Sequence, residues 1–308
     1  MTALTADGIH GTWGTVLLPV RENDTVDYAA LERQVQALVA AGVDGVYTNG
    51  TAGEFHTQDD DEFLEVSTVV ARICGCSGTP FQLGVSHPVA QTSLARLRRS
   101  RHLNPGAYQV ILPDWVAVTD AEATDFLARM AEEAQGTGLV LYNPPHAKRV
   151  LTPDALARLC EAVPSVVGVK IADGNPSWYG SVRSLPLSIF VPGHHVVTGP
   201  LAGAHGTYSN VACLSPTGAV AWARSVVTDP MGALALERRI VDFFGAHVLP
   251  FARQGYCNAA LDKLLAEAGG WNNTGTRLRW PYRWIDPEYG RTLGALARAA
   301  LPELMTPA

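Results

Sequence analysis

Charge is scarce in this chain. Of its 308 residues, 17% are Asp, Glu, Lys or Arg, against roughly a quarter in ordinary soluble proteins. With 47% hydrophobic residues, much of the surface must be buried in a large core or against other subunits. A basic balance is lacking too. The net charge of −6 gives no electrostatic reason to expect nucleic acid, and the densest basic stretch, Arg96 to Arg101, reads as a solvated helix face. No apolar run approaches membrane-spanning length. Met1 to His10 lacks the charged and apolar segments of a signal peptide, so a soluble cytoplasmic protein is expected. Cys74, Cys76, Cys160, Cys213 and Cys257 are odd in number and scattered, unlike a disulfide framework. Cys74 and Cys76 are too closely spaced for a zinc pair, and no second pair follows. His194-His195 is the best metal candidate, but neighbours in a strand point apart and no Glu or His lies nearby at helical ligand spacing. No metal or other cofactor is expected.

What the chain does contain is a regular alternation of short apolar runs and amphipathic stretches, from near the start to about residue 228. Strands are predicted at Trp13–Leu18, Val43–Thr48, Phe81–Val85, Ala107–Leu112, Leu139–Tyr142, Val166–Lys170, Leu187–Val191 and, more briefly, Gly206–Ser209. Helical stripes lie between them, such as Leu31, Val35, Leu38 and Val39, or Phe63, Val66, Val70 and Ile73. Thr152-Pro153 has the form of an N-cap with proline in the first turn. Eight such repeats in about 220 residues fit a (β/α)₈ TIM barrel better than a doubly wound sheet. Residues 1–228 are assigned to the barrel. Residues 229–308 read as helices, with Leu236, Ile240, Phe243 and Phe244 on one face, packed on the barrel as a C-terminal extension.

Chemistry in such barrels gathers where strands end, and three segments with chemical potential fall there. Lys170 closes the run Val166-Val167-Gly168-Val169, whose apolar walls desolvate the ammonium and favour the nucleophilic neutral amine. Gly50-Thr51-Ala52-Gly53-Glu54 is a glycine-bracketed turn whose backbone N–H groups and Thr51 hydroxyl suit a carboxylate. Tyr142, ahead of Asn143-Pro144-Pro145, offers a phenol. Each has a plainer alternative: a lysine paired at the surface, a simple turn, a core tyrosine. Together they supply what imine chemistry on a 2-oxo acid requires.

These segments carry a resemblance to the dihydrodipicolinate synthase/N-acetylneuraminate lyase family of class I aldolases. It rests on Ala41-Gly42-Val43-Asp44-Gly45 before Gly50–Glu54, on Tyr142–Pro145, on Val167–Lys170 and on Gly203-Ala204-His205-Gly206-Thr207-Tyr208-Ser209. The resemblance implies a usually tetrameric barrel in which Lys170 forms an imine with pyruvate or another 2-oxo acid and Tyr142 shuttles protons. It further implies that Gly50, Thr51 and Ala52 form the carboxylate-binding turn and that the Tyr208 backbone lines the same pocket. The partners are then a small 2-oxo acid and copies of the same chain, as a dimer or tetramer.

The departures from the synthase pattern fall on one system. Ala52 replaces a second threonine, Pro113-Asp114-Trp115 has no tyrosine to relay a proton, and Ala147 stands where an arginine should follow Tyr142, with Lys148 and Arg149 displaced. Ile171 follows Lys170 in place of a glutamate. Condensation with aspartate semialdehyde is therefore not expected. The expectation is a lyase that cleaves or forms a carbon–carbon bond of a 2-oxo acid, with pyruvate as product or donor. A dehydratase or hydratase-aldolase using the same imine, a metal-dependent barrel enzyme using His194 and His195, and a non-catalytic 2-oxo-acid-binding protein are the alternatives. His56, Asp114, Trp115 and His146 are the candidates for a specificity pocket.

Overall fold

The structure is a computed structural model that describes residues 2–305. Eight parallel strands close into a barrel in sequence order: β1 (Gly11–Thr15), β2 (Gly45–Thr48), β3 (Phe81–Gly84), β4 (Ala107–Val110), β5 (Gly138–Tyr142), β6 (Val166–Lys170), β7 (Ser188–Pro192) and β8 (Gly206–Ser209). The helices α1 (Tyr28–Ala40), α2 (Asp60–Ser77), α3 (Ala90–Ser100), α4 (Asp120–Ala134), α5 (Pro153–Ala162), α6 (Pro176–Val182) and α7 (Thr198–Ala202) follow the first seven strands in turn. After β8 come α8 (Asn210–Leu214) and α9 (Pro216–Thr228). Beyond them lie α10 (Pro230–His247), α11 (Leu249–Arg253), α12 (Asn258–Gly269), α13 (Pro287–Ala300) and α14 (Pro302–Met305). This is the TIM barrel with C-terminal helices that the sequence predicts. None of the described helices is long and apolar enough to cross a membrane.

The predicted strands β6 and β8 have the observed bounds, and Thr152 caps α5 by accepting from the Ala155 N–H, with Pro153 in the first turn. The first strand is displaced. Its ladder ends at Thr15, although the apolar run continues through Leu18. Val16 still donates to the Tyr47 carbonyl, whereas the Leu17 N–H turns to the Gln34 side chain at 2.7 Å. Apolar residues continue there because Leu17 packs against α8–α14.

Three apolar regions hold the molecule together. The largest lies between the barrel and its surrounding helices. A second fills the barrel with Ile9, Trp13, Tyr47, Ala107, Val140, Phe190 and Tyr208, the packed interior usual in this architecture. The third joins Leu17 and Ala52 to Val211–Leu214, Trp222, Phe243, Leu264 and Leu293, so α10–α14 share their core with the barrel end of the chain.

The basic stretch after Leu94 is not uniformly solvated. Arg96 is 1% exposed. Its guanidinium donates to Asp60 and to the carbonyls of Phe55, Gln58 and Ser86 at 2.7–3.2 Å, tying the segment after β2 to the one after β3. A helix-face reading fails for this residue because a buried cation is tolerated only when fully paired and hydrogen-bonded.

Candidate active site

The C-terminal end of the barrel opens into a cavity of about 360 Å³. Its floor begins with Lys170, the last residue of β6, which lies opposite Tyr142 in the β5–β6 register. The Lys170 ammonium sits 4.4 Å from the Tyr142 ring centroid, 5.1 Å from that of Tyr208 and 5.6 Å from that of Tyr47. The two deeper tyrosines are fixed. Tyr47 donates to Gln109 and Tyr208 to Gln82, each at 2.5 Å, inside the barrel.

Three aromatic faces favour the cation modestly, but loss of water dominates. Burial pushes the Lys170 amine down from 10.5 to about 8, with the carboxylate of Asp262 acting in the opposite sense. At neutral pH this leaves roughly three hundredfold more neutral amine than in an ordinary lysine. The Tyr142 phenol moves up to about 12 through burial, and the Thr51 hydroxyl beside it pulls it back. The loop after Tyr142 is held by Asn143, whose side chain exchanges two hydrogen bonds with the Leu151 backbone.

Thr51 and Ala52 line the same cavity. Their turn is set by Asn49 and Glu54, both left-handed, at φ 55° and 53°. Gly50 between them admits no side chain, since a Cβ there would fall 1.5 Å from the Tyr47 hydroxyl. The turn closes through Glu54 N–H to Thr51 O and Phe55 N–H to Gly50 O. The N–H groups of Thr51 and Ala52 take no part in those bonds, so they are free to bind an anion.

Beneath the turn lies a buried ion pair. Glu54 accepts from Lys263 Nζ at 2.6 Å and from the Arg279 N–H at 3.0 Å, and the two side chains are 1% and 0% exposed. Lys263 also donates to the Arg277 carbonyl at 2.5 Å. The preceding residue on α12, Asp262, faces the cavity instead. Burial raises its carboxyl from 3.8 to about 7, against the pull of Lys170.

A model of the dihydrodipicolinate synthetase family matches residues 9–227. The chain belongs to that family. Among its relatives, a trans-O-hydroxybenzylidenepyruvate hydratase-aldolase of Sphingobium xenophagum is 23% identical across 98% of this chain and 99% of its own. A 4-hydroxy-tetrahydrodipicolinate synthase of Methanothrix thermoacetophila is 26% identical over 68% of this chain and 72% of its own. In fold, the chain superposes on a sialic acid aldolase of Ruminococcus gnavus with a TM-score of 0.82 at 17% identity, covering 96% of this chain and 99% of that one. It superposes equally well, at a TM-score of 0.82 and 17% identity, on the prophage protein YagE of E. coli K12, solved in complex with pyruvate, covering 95% and 98%.

Of the residues proposed from sequence, the structure gathers Lys170, Tyr142, Thr51, Ala52, Tyr208 and His146 around one cavity. Gly50 supports the turn from behind. His56, Asp114 and Trp115 are not among the lining residues. The His56 ring packs edge-on against Phe55 and Tyr282. The Trp115 ring is 82% exposed and carries Lys148 over its face at 5.0 Å, while Asp114 accepts from the Lys148 N–H. Arg149 pairs with Asp120, so neither displaced cation replaces the arginine missing at Ala147. The expectation that His194 and His195 point apart also fails. They occupy a 3₁₀ turn with ring centroids 4.3 Å apart, and His194 Nδ1 lies 2.8 Å from Asn210 Nδ2. Among the described residues, no three His, Cys, Asp or Glu side chains form a metal-binding group.

The sequence expectations missed Asp262, Lys263 and the apolar wall supplied by α10–α12. A signal for the first two was present: Asp262-Lys263 interrupts the run Ala259-Ala260-Leu261 and Leu264-Leu265-Ala266, and charges inside an apolar helix call for partners.

Proposed function

We propose that the protein is a Schiff-base lyase in which Lys170 forms an imine with a 2-oxo acid and a carbon–carbon bond is cleaved to give pyruvate, or formed from it. The observation that carries this reading is the convergence of a desolvated lysine, a phenol and an anion-binding turn on one cavity. The amine of Lys170 attacks the C2 carbonyl and Tyr142 moves the protons of carbinolamine formation and collapse. The carboxylate of the 2-oxo acid lies on the N–H groups of Thr51 and Ala52. Once the iminium forms it is an electron sink for C3: breaking the C3–C4 bond gives the enamine of aldol cleavage, and removing a C3 proton gives the enamine from which water at C4 is lost, or to which it adds in reverse. Lyase names among the relatives support the same class, and hydratase-aldolase names recur at comparable coverage. Hydration or dehydration through the same imine is therefore the second reading.

Pyruvate with borohydride is expected to leave one reduced adduct per chain, on Lys170, detected by intact mass and peptide mapping. An unmodified Lys170 in active enzyme would overturn the reading. The assembly we propose is a cytoplasmic homo-oligomer, a dimer or tetramer. The exposure of Trp115, Val116 and Trp280 at 82%, 74% and 77% supports a further buried surface, and sedimentation velocity tests it.

A further inference from the structure

Lys170 and Asp262 are the Lys and Asp side chains that line the cavity, and no Arg or Glu joins them there. They approach it from different parts of the chain, one from β6 and the other from α12. Each senses the other's charge, yet no ion pair within 4.0 Å joins them. A space therefore separates amine and carboxyl. The Asp262 carboxyl makes no hydrogen bond or ion pair to another side chain, unlike its neighbour Lys263, which is fully engaged with Glu54 and Arg277. Beyond Asp262 the wall is apolar, formed by Val241, Phe244, Val248, Leu249, Leu261 and Leu265.

The carboxyl is half-buried at the cavity wall with no partner among the protein side chains, which leaves it free to exchange a proton with a bound substrate. We propose that Asp262 is a catalytic acid–base acting at C4 of the substrate, and that the substrate is a 4-hydroxy-2-oxo acid with an apolar group on C4. This rests on the Lys170 imine reading and assigns the proton transfers at the far end of the same substrate. With the substrate held as the iminium on Lys170, the Asp262 carboxylate takes the proton of the C4 hydroxyl. The oxygen's electron pair forms the aldehyde C=O and the C3–C4 bond breaks. Its electrons become the C2–C3 double bond, and the C=N pair returns to nitrogen, leaving a neutral enamine. The protonated Asp262 is then the acid that can return the proton to C3, giving the pyruvate iminium that water hydrolyses. Tyr142, beside Lys170, serves the amine end. A carboxyl near 7 is better matched to proton exchange at neutral pH than a phenol near 12.

The test compares wild type, Asp262→Asn and Tyr142→Phe in two assays: borohydride trapping of pyruvate, and cleavage of 4-hydroxy-4-phenyl-2-oxobutanoate to benzaldehyde and pyruvate. Pyruvate has no C4, and removing the Asp262 charge only lowers the Lys170 amine further. Asp262→Asn should therefore trap pyruvate within about threefold of wild type, while kcat for cleavage falls about 10²–10⁴-fold. Tyr142→Phe should slow trapping itself. Near-wild-type cleavage by Asp262→Asn would overturn the role, and so would equal loss in both assays, which marks a structural residue. A wild type that traps pyruvate but leaves the phenyl substrate intact would overturn the substrate class and the role drawn from it. A wild type that fails to trap pyruvate would instead bring down the proposed function, and this inference with it.

Discussion

The ionisable groups that line the cavity are ones the fold would be more stable without. Lys170 has a folded-state value near 8 against 10.5 unperturbed, so its protonation is resisted in the native state. Below about pH 8 it is charged in both states and the whole penalty is present. At about 1.4 kcal/mol per pH unit, this is roughly 3 kcal/mol. As pH rises from about 8 to 10.5 the unfolded chain holds the extra proton and the penalty fades. Lys170→Met is therefore expected to abolish imine formation and raise the melting temperature at pH 7. The gain should shrink as the pH approaches 10.5, as thermal unfolding across that range would show. A variant no more stable than wild type at pH 7 would mean that water reaches Lys170 freely. The sign for Asp262 is opposite: its raised value makes the carboxylate an increasing burden between pH 4 and 7.

At the scale of elements, α12 ties the Gly50–Glu54 turn to the extension. Lys263 is buried and its amine lowered by desolvation, with Glu54 holding it charged. Truncating one partner of such a pair leaves an uncompensated charge in the interior, which costs about 3–5 kcal/mol. Glu54→Ala should lower stability by that amount in urea titrations and loosen the turn that carries Thr51 and Ala52, weakening 2-oxo-acid binding. Adding Lys263→Met should recover much of the stability but not the binding. Recovery of both would show that the pair does not position the turn.

The same element shows how far sequence carries. Barrel strands, the strand-end position of Lys170 and the turn at Gly50–Glu54 were legible because each is local: an apolar run, a lysine ending a strand, a glycine bracket. Glu54 could be read as part of a motif, but its partner is 209 residues away, and no local pattern states which distant charge meets which. Arg96 misled for a related reason. Its helix neighbours Arg98 and Arg99 are paired at the surface, and composition cannot distinguish them from the one turned inward. Trp115 and His56 follow strands as site residues often do, but a loop's path is set by its contacts with other loops, here Lys148 and Tyr282.

For the whole molecule, the barrel and the helices that follow it share one apolar region. The chain passes from α9 to α10 across Asp229 alone, and the third apolar region draws residues from both sides of that point. Residues 1–228 expressed alone would expose Leu17, Val211–Leu214 and Trp222 to water. They are expected not to fold cooperatively, judged by near-ultraviolet circular dichroism and the absence of a sharp thermal transition. A truncated chain with native-like melting would show that the helical extension is an independent addition.

Adjacent positions on an α-helix point roughly 100° apart, and α12 uses that angle to send Asp262 into the cavity and Lys263 under the turn. A one-residue insertion or deletion ahead of this pair would swing both charges off target in a single event, whereas substitutions at Val241 or Leu249 leave both in place. Changes in substrate preference, whether made in the laboratory or by drift, therefore have an open route through side chains on α10 and α11 and a closed one through the length of the segment leading into α12.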